Sequence, residues 1–249
     1  TSILENNFTI CSIYVNPTQF NNNDDFISYP REHKSDIQVL RSINCDLLFL
    51  PTDKEMYPND RYIKKYNFTN SINLLEGKKR PGHFSGVITI VEKLFSLISP
   101  NRVYFGEKDY QQLWIIRLFT KKSKLPIEIK SCATVRDSHG LALSSRNKNL
   151  KLEEKKNAIH LFSALNSLRQ EIIDIKKESN ICKKQDLVLA KENALNIIIN
   201  NPLIKVDYFE VIDEENFRFA TEIKNHKNYR ILIAAYVGKI RLIDNMLIE

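Results

Sequence analysis

Short apolar runs alternate with amphipathic stretches through the first half of the chain. Residues 9–15 (TICSIYV) and 46–50 (DLLFL) read as strands, with a short helix between them at 36–43. The clearest helix spans 86–99, where Val87, Ile90, Val91, Leu94, Phe95 and Ile98 recur at steps of three and four to form one apolar stripe. Pro100 stops it. A buried-type strand at 102–105, a loop at 106–108, a helix from 109 to 120 and a strand at 127–135 continue the alternation. Such a pattern predicts an α/β fold, a parallel sheet covered by helices on both faces. Ligands of these sheets bind beyond the carboxyl ends of the strands, which singles out residues 16–20 and 106–112.

After residue 136 the pattern changes. A turn-prone stretch at 137–140 leads to Leu143-Ser-Ser-Arg146, then to a long helix at 152–177 with Leu161, Leu165, Leu168, Ile172 and Ile175 along one side. A polar linker at 178–185 precedes a helix at 186–200, ended by Pro202. Strand-type segments follow at 206–212 and 229–237, with a last short one near 241–243. These segments predict a smaller α+β domain, so the expected division is 1–136 and 137–249.

Composition narrows the class. The 249 residues are 43% hydrophobic and 27% charged, ordinary for a globular protein. No apolar run reaches the roughly 18 residues of a membrane span. Residues 1–8 have neither the basic flank nor the apolar stretch of a signal peptide. Cys11, Cys45, Cys132 and Cys182 are scattered without zinc-type spacing, and Cys11 and Cys45 fall in or beside apolar runs, which favours buried free thiols in a reducing compartment, the cytoplasm. The net charge of +7 suits either a nucleic-acid face or a site for polyanionic nucleotides, but no basic run is interleaved with aromatics for base stacking. Nucleic acid and membrane are therefore not expected partners.

Four segments carry candidate chemistry. Asn16-Pro-Thr-Gln-Phe20 ends a strand with amides that donate and accept together, suiting a hydroxy acid, although Asn-Pro also starts ordinary turns. In Gly106-Glu-Lys-Asp-Tyr-Gln-Gln112, Gly106 allows close backbone approach and Lys108 offers a point charge to phosphate. Asp109 and Gln112 also have the spacing of a helix capping box. Ser144, Ser145 and Arg146 combine two hydroxyls with a guanidinium fork, a phosphate clamp or else an exposed loop. His83 in Arg80-Pro-Gly-His-Phe84 is a proton carrier or a structural hydrogen-bonder, and Asp36 is either a water-bridged Mg²⁺ contact or an exposed helix acid.

The wording and order of these segments resemble the pantothenate synthetase family: NPTQF, YPR (29–31), EMYP (55–58), LEG (75–77), RPGHFSGV (80–87), FGEKDYQQL (105–113), GLALSSRN (140–147) and RLIDN (241–245). The resemblance spans essentially the whole chain. It implies a Rossmann-type nucleotidyltransferase domain, a smaller C-terminal domain closing over ATP, and a homodimer. It further implies that pantoate attacks ATP·Mg²⁺ to give pantoyl adenylate and pyrophosphate, and that the β-alanine amine then displaces AMP. Asn16, Gln19 and Gln112 would surround pantoate, with Gln19 also near β-alanine. Gly106, Glu107, Lys108 and Asp109 would contact ATP, Val135 would line the adenine pocket, and Leu143, Ser144, Ser145 and Arg146 would form the loop over the phosphates. Lys108 and Arg146 would carry the catalytic charge.

The family also begins with a strand and a His-x-Gly-His segment that binds ATP, and nothing before Ile10 resembles it. The expectation is an incomplete sequence rather than a shortened enzyme. A catalytically impaired remnant that keeps nucleotide or partner binding is the alternative.

Overall fold

The structure is a computed structural model that describes residues 1–21, 23–59, 63, 64, 66 and 70–248. It divides into two compact units, Thr1–Phe105 with Gln111–Cys132, and Gly106–Tyr110 with Ala133–Glu249.

The first unit is α/β. In chain order it contains α1 (Ser2–Glu5), β1 (Ile10–Ser12), α2 (Asn23–Ser28), α3 (His33–Ser42), β2 (Leu47–Phe49), α4 (Asp53–Met56), α5 (Leu75–Lys79), α6 (His83–Ile98), β3 (Arg102–Gly106), α7 (Tyr110–Lys122) and β4 (Glu128–Cys132). β1 and β2 run parallel, Ile10 opposite Leu47 and Ser12 opposite Phe49. β3 pairs with β4. β1 is shorter than the apolar run at 9–15 suggests, because the backbone is strand only where β2 supplies a ladder; Ile13 N–H still reaches the Phe49 carbonyl at 3.0 Å. The apolar stripe of α6 is buried as its periodicity predicts, Val87, Ile88, Ile90, Val91 and Phe95 packing with Ile115, Ile116 and Phe119 of α7. The helix starts three residues before the expected Gly86, at His83 after Gly82, and closes on Ser99 in the left-handed region.

The second unit is α+β. It adds α8 (Leu152–Ser179), β5 (Ile181–Cys182), α9 (Lys184–Ile199), β6 (Ile204–Asp213), β7 (Arg218–Phe219), β8 (Ile223–Lys224), β9 (Tyr229–Val237) and β10 (Ile240–Ile248). A four-stranded sheet runs β10-β9-β6-β7, antiparallel throughout, and β5 pairs with β8. Ala158, Ala164, Ala190 and Ala194 let α8, α9 and the sheet approach closely around Leu161, Leu165, Leu168, Phe209, Ile231 and Ile233. β10 is nine residues long, not the short segment expected near 241–243. Its apolar alternation is interrupted by Asp244 and Asn245, buried at 5% and 4% exposure. The β9–β10 hairpin turns on Gly238 and Lys239, with Gly238 at φ 57°, a conformation costly for any residue with a Cβ.

Cys182 is fully buried, but Cys11, Cys45 and Cys132 are only half-buried, a correction to the expectation for the first two. All four are free thiols. Among the described residues no helix is long and apolar enough to cross a membrane.

Candidate active site

In the first unit, two of the motifs form one device. Asn16 is 1% exposed and begins the 3-10 turn Pro17–Gln19. Its Oδ1 accepts from the Tyr57 hydroxyl at 2.8 Å, from Thr18 N–H at 3.3 Å and from Thr18 Oγ1 at 3.0 Å. Its Nδ2 donates to the Gly86 carbonyl at 3.1 Å. A Cβ on Gly86 would lie 2.2 Å from the Thr18 carbonyl oxygen, so only glycine lets α6 seat against the turn. His83 Nδ1 lies 2.7 Å from the Gln19 carbonyl and Arg80 Nη2 donates to the same oxygen at 3.3 Å. His83 therefore works as a structural donor with its proton on Nδ1. The Asn16 side chain is largely occupied by the protein. The Gln19 side-chain amide makes no hydrogen bond to another described residue, although its backbone N–H donates to the Asn16 carbonyl at 3.4 Å and its own carbonyl is held.

The two glutamines of FGEKDYQQL part company. Gln111, 2% exposed, accepts from Glu76 N–H at 3.0 Å and donates to the carbonyls of Ser71 at 3.1 Å and Leu74 at 2.9 Å, so it fastens the LEG segment. Sequence reasoning passed over it; the signal was a tandem Gln at a helix start, where neighbours on consecutive positions face different surroundings. Gln112 is half-buried and lies beside it on α7. The capping box expected from Asp109 and Gln112 does not form, since Asp109 ends a 3-10 turn, Glu107–Asp109, that runs directly into α7.

In the second unit, Gly106 is exposed with open space where a Cβ would stand, at φ −70°, so neither strain nor crowding demands glycine there. Lys108 Nζ is 3.9 Å from Asp109 Oδ1. The carbonyls of Glu107 and Lys108 both accept from Asn245 Nδ2, at 2.8 and 2.9 Å. Arg230, 5% exposed, lies 4.1 Å over the Tyr110 ring, pairs with Glu107 at 3.4 Å and Glu214 at 2.5 Å, and donates to Asn245 Oδ1 at 2.7 Å.

A second segment of this unit is a hairpin. Arg136 and Ala142 form its bridge, and Leu143 N–H donates to the Val135 carbonyl at 2.9 Å. Val135 and Leu143 are thus neighbours, at 66% and 52% exposure, an apolar pair open to cover by a flat ligand face. Ser144 caps the 3-10 helix Ser145–Asn149 by accepting from Arg146 N–H at 3.3 Å. Ser145 and Arg146 lie half-buried in its first turn. Asn147 Nδ2 donates to the Ala142 carbonyl at 3.0 Å, while its Oδ1 is buried without a hydrogen bond among the described residues.

Asp36 lies in the first turn of α3, where a carboxylate suits the helix dipole. No group of three metal-ligating side chains gathers around it or anywhere among the described residues. A groove of about 510 Å³ between α7 and β4 is lined by Arg117, Thr120, Lys121, Lys124, Leu125, Ile127 and Ile129, none of them a residue marked out by the sequence.

The family model described as Pantoate-beta-alanine ligase matches residues 1–247. The chain belongs to this family. Among pantoate-beta-alanine ligase relatives, the pantothenate synthetase of Thermosipho africanus is 39% identical over 246 residues, 98% of this chain and 84% of that protein. The pantothenate synthetase of Azobacteroides pseudotrichonymphae is 41% identical over the same shares. A crystal structure of pantothenate synthetase from Thermus thermophilus superposes with TM-score 0.88 at 36% identity, covering 98% of this chain and 84% of that one. The ligase from Francisella tularensis, complexed with beta-gamma ATP and β-alanine, superposes with TM-score 0.74 at 38% identity, covering 98% and 81%. The α/β unit and the smaller α+β unit are thus those of a pantoate-beta-alanine ligase.

Proposed function

We propose that this chain condenses pantoate with β-alanine at the expense of ATP. In the first step a pantoate carboxylate oxygen bonds to the α-phosphorus of ATP, the bond to the bridging oxygen breaks, and pyrophosphate leaves. In the second, the β-alanine amine attacks the acyl carbon, loses a proton, and AMP departs. Both steps are displacements in which a protein chiefly positions reactants and offsets charge. The observation that carries the reading is that Lys108 and Ser144–Arg146, the phosphate-directed groups, belong to one compact unit and to segments fixed by its own buried side chains.

Lys108 and Arg146 carry the cationic charge for the phosphates, Ser145 supplies a hydroxyl, and Ser144 holds the turn. Gly106 keeps the strand end open to the nucleotide, and Asp109 takes the ribose. Val135 and Leu143 offer an apolar face to adenine. Gln19 and Gln112 hold pantoate, Gln19 also serving β-alanine, with Asn16 bracing the turn that presents Gln19. Mg²⁺ enters as ATP·Mg²⁺, held by phosphate oxygens and water. Asp36, without companion acids, is not assigned as a direct ligand. A homodimer and a cytoplasmic location complete the reading, the first on the resemblance and the second on the free thiols.

The test is pantoate-dependent exchange of labelled pyrophosphate into ATP. It is run on the 249-residue chain and on the same chain extended by the His-x-Gly-His segment of a relative. Exchange in either protein that requires pantoate is the expected result. Folded protein of both kinds that exchanges nothing would overturn the ligase reading in favour of a remnant.

A further inference from the structure

Two consecutive residues of β10 reach both nucleotide-directed segments. The Asp244 carboxylate receives the Arg136 fork, Nη1 to Oδ2 at 2.6 Å and Nη2 to Oδ1 at 2.9 Å. Arg136 also donates to the Gly140 carbonyl at 3.0 Å and the Asn245 carbonyl at 3.2 Å. This ties down the hairpin that ends in Leu143–Arg146. Asn245 gives its Nδ2 to two successive carbonyls of the other loop, Glu107 and Lys108, while Oδ1 takes Arg230. Only an amide side chain of this length supplies two donors and an acceptor together.

The fold itself does not call for these groups. β10 is registered on β9 from Ile240 to Ile248 through its backbone, and apolar residues at 244 and 245 would satisfy that ladder equally. A buried carboxylate and a buried amide cost desolvation unless fully bonded, and apart from Arg230 of β9 and the Asn245 N–H what they bond here are the two loops.

We propose that Asp244 and Asn245 are positioning residues for ATP. Asn245 fixes the Glu107 and Lys108 peptides and thereby aims the Lys108 ammonium at phosphate. Asp244, through Arg136, fixes the hairpin carrying Arg146. Their adjacency on one strand sets the separation of the two phosphate-directed cations. The proposal rests on the reading of both loops as ATP-contacting.

The test is a double-mutant cycle on the Kd for ATP at fixed Mg²⁺, using the full chain, with pantoate affinity as the control. Asn245→Ala and Lys108→Ala are each expected to weaken ATP binding about tenfold, and the double variant little further, because the two residues act through one contact. Pantoate affinity stays unchanged. Asn245→Ser goes through the same cycle should the alanine variant fail to fold. An unchanged Kd in the Asn245 variants, effects that multiply in the double variant, or an equal loss of pantoate binding would each overturn the proposal. If Lys108→Ala leaves the Kd unmoved, or the parent chain does not bind ATP, the loop reading falls first and this inference with it.

Discussion

The turn at Pro17–Gln19 and the loop at Glu107–Asp109 both follow a strand, yet different kinds of group hold them. The turn lies against the start of α6, with the Gly86 backbone packed on the Thr18 backbone and three side chains bonded to main-chain atoms. The loop is held by Asn245 and Arg230 from a continuous antiparallel sheet. One anchor depends on the absence of volume and the other on the chemistry of two polar side chains. Substitutions around α6 should therefore act through shape, and those on β9 and β10 through hydrogen bonding.

The largest expected effect tests the first half of that contrast. Gly86→Ala places a methyl group into backbone that cannot retreat like a side chain, and should cost about 3 kcal/mol of stability in denaturant unfolding. A cost below about 0.5 kcal/mol, the range of an inert surface change, would remove the shape argument.

Gln111→Ala comes next. It strips partners from an amide N–H and two carbonyls, which predicts a loss of about 2 kcal/mol. Gln112→Ala, one residue on, should change melting little and raise the KM for pantoate. Equal destabilisation by both would show that the two glutamines do not divide the work.

On the proposed function, Arg146→Ala should slow adenylation by about tenfold, because a charge-assisted contact to phosphate would be lost. Unaltered adenylation kinetics would take Arg146 out of the site.

The smallest effect is a pH dependence. Burial raises the Cys182 thiol from 9.0 to about 11, with Asp186 and Glu171 adding to the shift. The folded state thus keeps its proton after the unfolded chain has lost it. The contribution is whole below pH 9 and is lost as pH climbs through 11. Stability should fall by about 1 kcal/mol between pH 8 and pH 10 from this group, and Cys182→Ala should remove that part of the slope.

Periodicity carried much of the fold. The stripe from Val87 to Ile98 located α6, and the apolar run at 229–237 coincides with β9. β10 was under-read because Asp244 and Asn245 look like a strand end, and the groups that justify burying them lie 108 and 138 residues earlier. No local rule reports a partner at that distance. At the candidate site, motif wording marked residues but not their surroundings: Asn16 and Gln112 both read as amides for a hydroxy acid. Only tertiary packing shows that Asn16 is engaged on four sides by Tyr57, two groups of Thr18 and Gly86.

The hairpin at Gly238 acts as a ruler for residues well away from it. With two residues in the turn, Asn245 stands opposite Leu232 and Asp244 opposite Ile233. Sliding β10 by one step through a longer turn would put Asp244 opposite Leu232, where Asn245 now stands, and Ile243 opposite Ile233, offering a carboxylate to carbonyls that need an amide and removing the partner of Arg136. Insertions here should be far less tolerated than their exposed position suggests, and the length of this turn is a compact sequence check on whether a related chain can still hold the Glu107–Lys108 loop and the Arg136 hairpin from β10.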